Sequence, residues 1–193
     1  TTAVGTFLDH IGFSVKDYPA AEAKWKARNL KVEHTENPSE SYVFGPDDVK
    51  VEIFGDATLD VPIRFFHFHF YTTETRAVQS WYAKALRGAV GERACIACIS
   101  RPNMVPTVNA PGANLTFNTV KDVRPATKGR SVDHIGFEVK NLEAYAKKLE
   151  AEGIQLDEPV RQVPNTHVKV AFLSDPWGTK IELTENLPPA SHH

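Results

Sequence analysis

The stretch VDHIGFEV at residues 132–139 occurs nearly unchanged a second time, as LDHIGFSV at residues 8–15. A weaker third version, FHFHFYTT, lies between them at residues 66–73. Self-similarity of this kind indicates a repeat architecture, in which each copy is one supersecondary unit that cannot bury its apolar face alone. We therefore expect three repeats, each beginning with one of these stretches.

The residues after each copy show a common order of patterns, namely a strand, a helix and then two or three further strands. These patterns predict an α+β fold of tandem βαβββ modules, whose curved half-barrel sheets carry helices on the outside. In the second repeat, the prolines of residues 102–111 are expected to shorten the middle strands. The predicted divisions are module 1 at residues 1–60, module 2 at 61–130, module 3 at 131–188, and a tail or tag remnant at 189–193.

The repeats contain histidines at one equivalent position. When the repeats are aligned on the residue that begins each helix, His10, His67 and His134 fall at the same place. A histidine on an apolar strand is more often a hydrogen-bonded core residue than a metal ligand. The three equivalent copies nevertheless favour a ligand role, above all for His67 and His134.

A paired arrangement of modules would bring such histidines together with a carboxylate. Each module exposes one curved sheet face, so two modules side by side would direct matching residues into one cavity. We favour pairing of modules 2 and 3, since sequential elements are usually neighbours, and this would group His67 with His134 and Glu182. Two imidazoles and one carboxylate can hold a divalent metal while leaving positions open. Pairing of modules 1 and 3 is the alternative, with His10 and Glu52 as secondary candidate ligands.

Module 1 has no partner within the chain if modules 2 and 3 pair. We therefore expect it to pair with a second copy of the chain, which predicts a homo-oligomer through module 1; a further module upstream of the given sequence is the alternative.

His69 lies two residues after His67 and therefore on the same face of its strand. It occupies the position at which the other copies have Gly12 and Gly136. We expect it to be a catalytic group beside the metal, because a histidine near its unperturbed pKa can move a proton at neutral pH. The alternative is that His69 is itself a ligand.

The composition excludes several classes of partner. The net charge of −2 lacks the basic excess that nucleic acids or anionic membranes attract. No apolar run approaches the roughly 18 residues of a membrane span. The chain begins at Thr1, so a cytoplasmic location and export with a removed signal both fit. Cys95 and Cys98 form a CxxC, which can be a redox pair or half of a zinc site. They lie in a β-prone run without a second CxxC, so we expect two small buried residues there instead.

The DHIGF openings and the closing DPWGTKIEL at residues 175–183 resemble the vicinal oxygen chelate superfamily. This superfamily includes lactoylglutathione lyases, methylmalonyl-CoA epimerases, bleomycin and fosfomycin resistance proteins, and extradiol dioxygenases. The resemblance implies a metal-dependent enzyme that binds a small oxygen-rich substrate through its oxygens. Iron is the expected metal, with manganese, zinc, nickel or cobalt as alternatives.

The resemblance leaves the reaction open, because one scaffold in this superfamily carries different chemistries. A dioxygenase-like activity is expected, although Thr116 and Phe172 stand where extradiol dioxygenases usually carry histidine and tyrosine. A glyoxalase-type lyase, isomerase or epimerase is the first alternative. A non-catalytic, resistance-type binding protein is the second.

Overall fold

The computed structural model describes residues 2–188 and confirms the α+β fold of βαβββ modules. The tail predicted at residues 189–193 lies outside the described residues. Module 1 contains β1 (Leu8–Val15), α1 (Tyr18–Ala27), β2 (Lys31–His34), β3 (Glu40–Phe44) and β4 (Lys50–Gly55). Module 2 contains β5 (Ile63–Thr72), α2 (Thr75–Leu86), β6 (Ala89–Ala94), β7 (Met104–Ala110) and β8 (Ala113–Thr119). Module 3 contains β9 (His134–Glu138), α3 (Leu142–Ala151), β10 (Glu158–Gln162), β11 (Lys169–Ser174) and β12 (Lys180–Glu185).

The chain divides into two compact units. Unit 1 contains the residues up to Pro125 together with Arg130–Val132, and unit 2 contains Ala126–Gly129 and the residues from Asp133 onward. Among the described residues, no helix is both long and apolar enough to cross a membrane.

Unit 1 is built on one eight-stranded sheet, with the order β2-β3-β4-β1-β5-β8-β7-β6. Strands β1 and β5 are antiparallel neighbours at its centre, so modules 1 and 2 are the pair that shares a sheet. This corrects the pairing of modules 2 and 3 predicted from the sequence. The reason is that β5 already has β1 on one side and β8 on the other, so both of its edges carry hydrogen-bonded strands. Module 1 thus has its partner within the chain, which removes the premise for a homo-oligomer through module 1.

Unit 2 contains a four-stranded sheet with the order β10-β11-β12-β9. Strand β9 runs parallel to β12, and Gly136 lies opposite Glu182 in their register. The same relation occurs in module 1, where β1 is parallel to β4 and Gly12 lies opposite Glu52. Modules 1 and 3 therefore place their histidine and glutamate by the same local geometry.

Strand β7 is longer than its prolines predicted. It extends over seven residues and includes Pro106, which lies opposite Glu92 of β6. Strand β8 pairs only with the part of β7 from Thr107 to Ala110. Pro106 therefore has a strand neighbour on one side alone, the kind of edge position at which a missing N–H is tolerated.

An aromatic core fixes the orientation of β5. The ring of Tyr82 on α2 lies 5.0 Å from that of Phe70 and 5.8 Å from that of Phe117. All three side chains are fully buried, and such contacts add to the free energy of burying aromatic surface. Because residues alternate between the faces of a strand, anchoring Phe70 on the helix side directs His67 and His69 to the opposite face.

Candidate metal centre

His10 is held on β1 by carboxylates on both sides of its ring. Nδ1 lies 2.8 Å from Asp9 Oδ1, and Nε2 lies 3.2 Å from Glu52 Oε2. Asp9 is itself fixed by the backbone N–H of Gly5, at 2.6 Å, and by Lys50 Nζ, at 3.0 Å. Burial raises the pKa of Asp9, but His10 and Lys50 outweigh burial and hold it well below its usual range. An ionised Asp9 accepts a hydrogen bond from Nδ1–H of His10 and leaves Nε2 of His10 to face the site.

His67 fits against the backbone of β1 because the residue opposite it is a glycine. The register of β1 and β5 pairs Gly12 with His67 and His10 with His69. A Cβ atom at Gly12 would lie only 2.4 Å from Cε1 of the His67 ring. The glycine of the repeated DHIGF motif therefore makes room for the imidazole of the neighbouring module.

Glu52 on β4 is the point at which the three histidines converge. Its Oε2 atom lies 2.9 Å from His67 Nε2 and 3.6 Å from His69 Nδ1, in addition to its contact with His10. The ligand atoms of these four buried side chains all lie within 4.8 Å of one another. Two ligands about 2.1 Å from a common metal lie about 3 to 4.2 Å apart. A small contraction of the cluster would therefore place all four atoms at bonding distance.

Unsatisfied ring nitrogens indicate that the cluster suits a metal. Within the described part of the chain, no ring nitrogen of His67 or of His69 makes a well-aligned hydrogen bond, although Glu52 Oε2 lies 2.9 Å from His67 Nε2. Buried polar atoms without partners are uncommon and require an explanation, such as an ion. Burial lowers the pKa of His67 to about 4 and that of His69 to about 3. These two imidazoles are therefore neutral at neutral pH, which is the protonation state that a metal requires.

Glu52 places a buried negative charge against all three rings. Burial raises its pKa, but the contacts with the three histidines outweigh burial and hold the pKa well below its usual range. An ionised carboxylate with neutral imidazoles is a donor set that suits several divalent transition metals.

The structure divides the predicted ligands between the two units. His67 lies beside His10 and Glu52 in unit 1. These two secondary candidates therefore stand next to His67 where His134 and Glu182 were predicted. In unit 2, His134 Nε2 lies 3.3 Å from Glu182 Oε2, with side-chain exposures of 43% and 29%. The physical reason is the strand pairing, since it is β1 that lies against β5.

A cavity of about 170 Å³ adjoins this cluster and contains residues that the sequence analysis did not single out. Glu40 on β3 is fully buried, and neither of its carboxyl oxygens has a hydrogen-bond partner among the described residues. Burial, together with the nearby Glu52 carboxylate, raises its pKa to about 9. The alternation of Glu40, Tyr42 and Phe44 along one strand was the available signal, because Tyr42 lies opposite Glu52.

Cys95 and Cys98 also line this cavity, and they form a disulfide. This corrects the expectation of two small buried residues, since both side chains are only half-buried. The run was expected to be a continuous strand, but β6 ends at Ala94. The chain turns after it, with the N–H of Cys98 donating to the carbonyl of Cys95. The turn brings together two residues that a strand would direct to opposite faces.

Comparisons with known proteins confirm the resemblance to the vicinal oxygen chelate superfamily. Residues 100–183 match the model of the Glyoxalase/Bleomycin resistance protein/Dioxygenase superfamily. A mutant of glyoxalase I from Zea mays has 18% identity and a TM-score of 0.69, over 95% of this chain and 70% of that chain. Glyoxalase I from Zea mays has 16% identity and a TM-score of 0.66, over 95% and 69%. No curated protein matches by sequence. At these identities the solved structures show a shared fold.

Proposed function

Because the chain has a glyoxalase-type fold, we propose that it is a metal-dependent enzyme of the vicinal oxygen chelate type, acting on a small oxygen-rich molecule. The proposed ligands of the divalent metal are His10, Glu52, His67 and His69. The observation that carries the proposal is the convergence of these four buried side chains, two of which have ring nitrogens that make no well-aligned hydrogen bond.

The residues around the cluster prepare it for this role. Asp9 orients His10 through Nδ1, which is the usual way in which a carboxylate fixes the tautomer of a ligand histidine. Lys50 balances the charge of Asp9 at 3.0 Å, so that Glu52 supplies the negative charge that faces the ion. When bound, a divalent metal would polarise the substrate oxygens as a Lewis acid.

The number of protein ligands bears on the reaction. Four ligands in an octahedral arrangement leave two positions, which suits a substrate that chelates through two oxygens. A dioxygenase needs a further position for oxygen beside such a substrate. The geometry therefore favours a lyase, isomerase or epimerase over the dioxygenase-like activity expected from the resemblance, provided that His69 is a ligand.

The role of His69 separates these two activities. Its Nδ1 atom lies 3.6 Å from Glu52 Oε2, and its ring stacks on Tyr71 with centroids 5.2 Å apart. As a ligand, His69 would complete a four-residue set. As a catalytic group it would leave three ligands and three open positions, the arrangement that oxygen activation requires.

The metal content of matched variants tests the proposal. Wild-type protein reconstituted with Fe²⁺, Mn²⁺, Co²⁺, Ni²⁺ or Zn²⁺ should retain about one ion per chain after gel filtration. His67→Ala should lose the ion, whereas His134→Ala removes the equivalent histidine of unit 2 and should keep it. Failure of the wild type to retain any of these ions would refute the proposal. Loss of the ion in His134→Ala, with retention in His67→Ala, would transfer the site to module 3.

His69→Ala distinguishes the two reaction classes. Metal affinity that falls about as far as in His67→Ala, by at least about 10-fold, would indicate a ligand and a redox-neutral reaction. Metal affinity like that of the wild type would indicate a catalytic group and favour oxygen chemistry.

A further inference from the structure

The cavity beside the cluster is the place where a substrate could reach the metal. Glu52 and His69 form part of its wall, so a molecule inside it would lie next to the ligands. The cavity volume of about 170 Å³ admits a small molecule, or the reacting end of a larger one.

Arg93 on β6 brings a permanent positive charge to the wall of this cavity. Nε of its guanidinium donates to Thr116 Oγ1 at 3.1 Å, and Nη1 donates to the carbonyl of Ala94 at 3.4 Å. The guanidinium also lies 5.3 Å from the ring centroid of Phe66. Thr116 and Ala94 are neutral partners, so Arg93 has no direct ion pair among the described residues, although the carboxyl groups of Glu52 and Glu40 lie near enough to interact with its charge.

The charges around the cavity leave a positive excess once the proposed metal is present. The ion and Arg93 bring three positive charges, against at most two negative charges from Glu52 and Glu40. Lys50 and Asp9 form an ion pair and cancel each other. A positive excess in a partly enclosed cavity attracts an anion more strongly than it would in open water.

We infer that the substrate of this site is a small carboxylate, whose oxygens reach the metal while the carboxylate group receives hydrogen bonds from Arg93. The inference rests on the proposed metal site and adds the class of substrate to it. A guanidinium suits this role, because its planar array of donors matches the two oxygens of a carboxylate.

Pyruvate and pyruvamide are matched probes for the inference. They have six non-hydrogen atoms each and nearly the same shape, but only pyruvate carries a charge. Binding to the Co²⁺-loaded protein can be followed through the visible absorption of the ion. Pyruvate should bind to the wild type at least about 10-fold more tightly than pyruvamide, because charged hydrogen bonds are the stronger ones.

Two arginine variants isolate the contribution of Arg93. Arg93→Gln should weaken pyruvate binding by about 10-fold or more and change pyruvamide binding by less than about 3-fold. Arg101→Gln removes the same charge from an exposed position outside the cavity lining and should leave both affinities unchanged. Uptake of Co²⁺ by Arg93→Gln at the wild-type level shows that the variant is folded.

The outcomes separate the two proposals. Normal Co²⁺ uptake with equal binding of the two probes, or with no loss of pyruvate binding in Arg93→Gln, would overturn the substrate class and leave the metal site intact. No uptake of Co²⁺ by the wild type would overturn both.

Discussion

Replacement of Gly12 by alanine is the most direct test of the way in which the repeated motif builds the site. The new Cβ atom would lie 2.4 Å from Cε1, 2.7 Å from Nδ1 and 2.9 Å from Nε2 of the His67 ring. Carbon atoms in favourable contact are about 3.5 to 4.0 Å apart. The ring would therefore have to move away by about 1 Å or more.

A displacement of this size exceeds what a metal site tolerates. Metal–ligand distances are held to about 0.2 Å, so a ring moved by 1 Å no longer coordinates without rearrangement of β1 or β5. The same crowding is expected to destabilise the fold by about 1 to 3 kcal/mol, as overpacking of a core does. We expect the affinity for Zn²⁺ or Ni²⁺ to fall by about 100-fold, because the variant disturbs a ligand directly.

Gly136→Ala is the matched control, because Gly136 occupies the equivalent position of module 3. The nearest atom to a Cβ there is Glu182 Oε2 at 3.8 Å, which is an ordinary contact. Competition with a fluorescent chelator gives both affinities, and thermal unfolding with and without metal gives the stabilisation that the metal provides. Wild-type metal affinity in Gly12→Ala would show that His67 is not a ligand in this orientation, and the explanation offered for the glycine would be refuted.

Two further predictions concern protonation and module divergence. The free energy of unfolding of the metal-free protein should fall below roughly pH 6.5, by about 2 kcal/mol for each of His67 and His69 at pH 5, because the unfolded chain binds protons that these buried rings do not. Folded Glu40 keeps a proton that the unfolded chain releases above about pH 4.5, so its contribution to stability declines from about pH 4.5 to about pH 9 and dominates above roughly pH 6.5. Glu40→Gln should remove this alkaline decline and should also steepen the loss of stability on the acid side. Urea unfolding from pH 5 to 9 with a flat alkaline side in the wild type would contradict this prediction. His69→Gly should lose metal affinity, and the added Thr116→Glu should restore it by supplying a carboxylate; calorimetric titration that finds both variants equally weak would count against the idea.

The sequence predicts the modules well because their signals are local. The period-two pattern around Gly12 and the helical spacing after it specify a strand and a helix without reference to the rest of the chain. The place of His10 beside Glu52 is similarly local, because both lie within one module and the parallel pairing of β1 with β4 brings them together. The same holds for His134 and Glu182 in module 3.

The pairing of modules is harder to predict, because it depends on contacts between edges that look alike. Strands β1, β5 and β9 begin the three modules with related residues, and proximity in sequence favours pairing of modules 1 and 2 as much as that of modules 2 and 3. Phe13 packs against Phe65 with ring centroids 5.5 Å apart across β1 and β5, but the third copy of the motif offers Phe137 at the equivalent position. Such contacts can be recognised only once the register is known.

The wall of the cavity lies beyond sequence prediction for a different reason. Glu40 and Arg93 come from β3 and β6, which are far apart in the order of the sheet, and both residues line one cavity. The two strands face the same cavity only because the whole sheet is curved. A charged residue in a strand is ordinarily read as solvent-facing, and the alternation of Glu40 with Tyr42 shows only that these two residues share one face of β3.

The divergence of module 2 follows from the space available between two strands. In modules 1 and 3 a glycine lies opposite a glutamate, whereas in module 2 His69 lies opposite Thr116. Each arrangement supplies one long donor side chain and one short neighbour. Two long side chains would overfill the position, and two short ones would leave the site without a donor. Module 2 therefore still offers a side chain with a metal-binding atom at this position of the sheet, but the atom is a histidine nitrogen instead of a glutamate oxygen. A set of three imidazoles and one carboxylate favours later first-row ions such as Co²⁺, Ni²⁺ and Zn²⁺ over the oxygen-preferring Mg²⁺ and Ca²⁺.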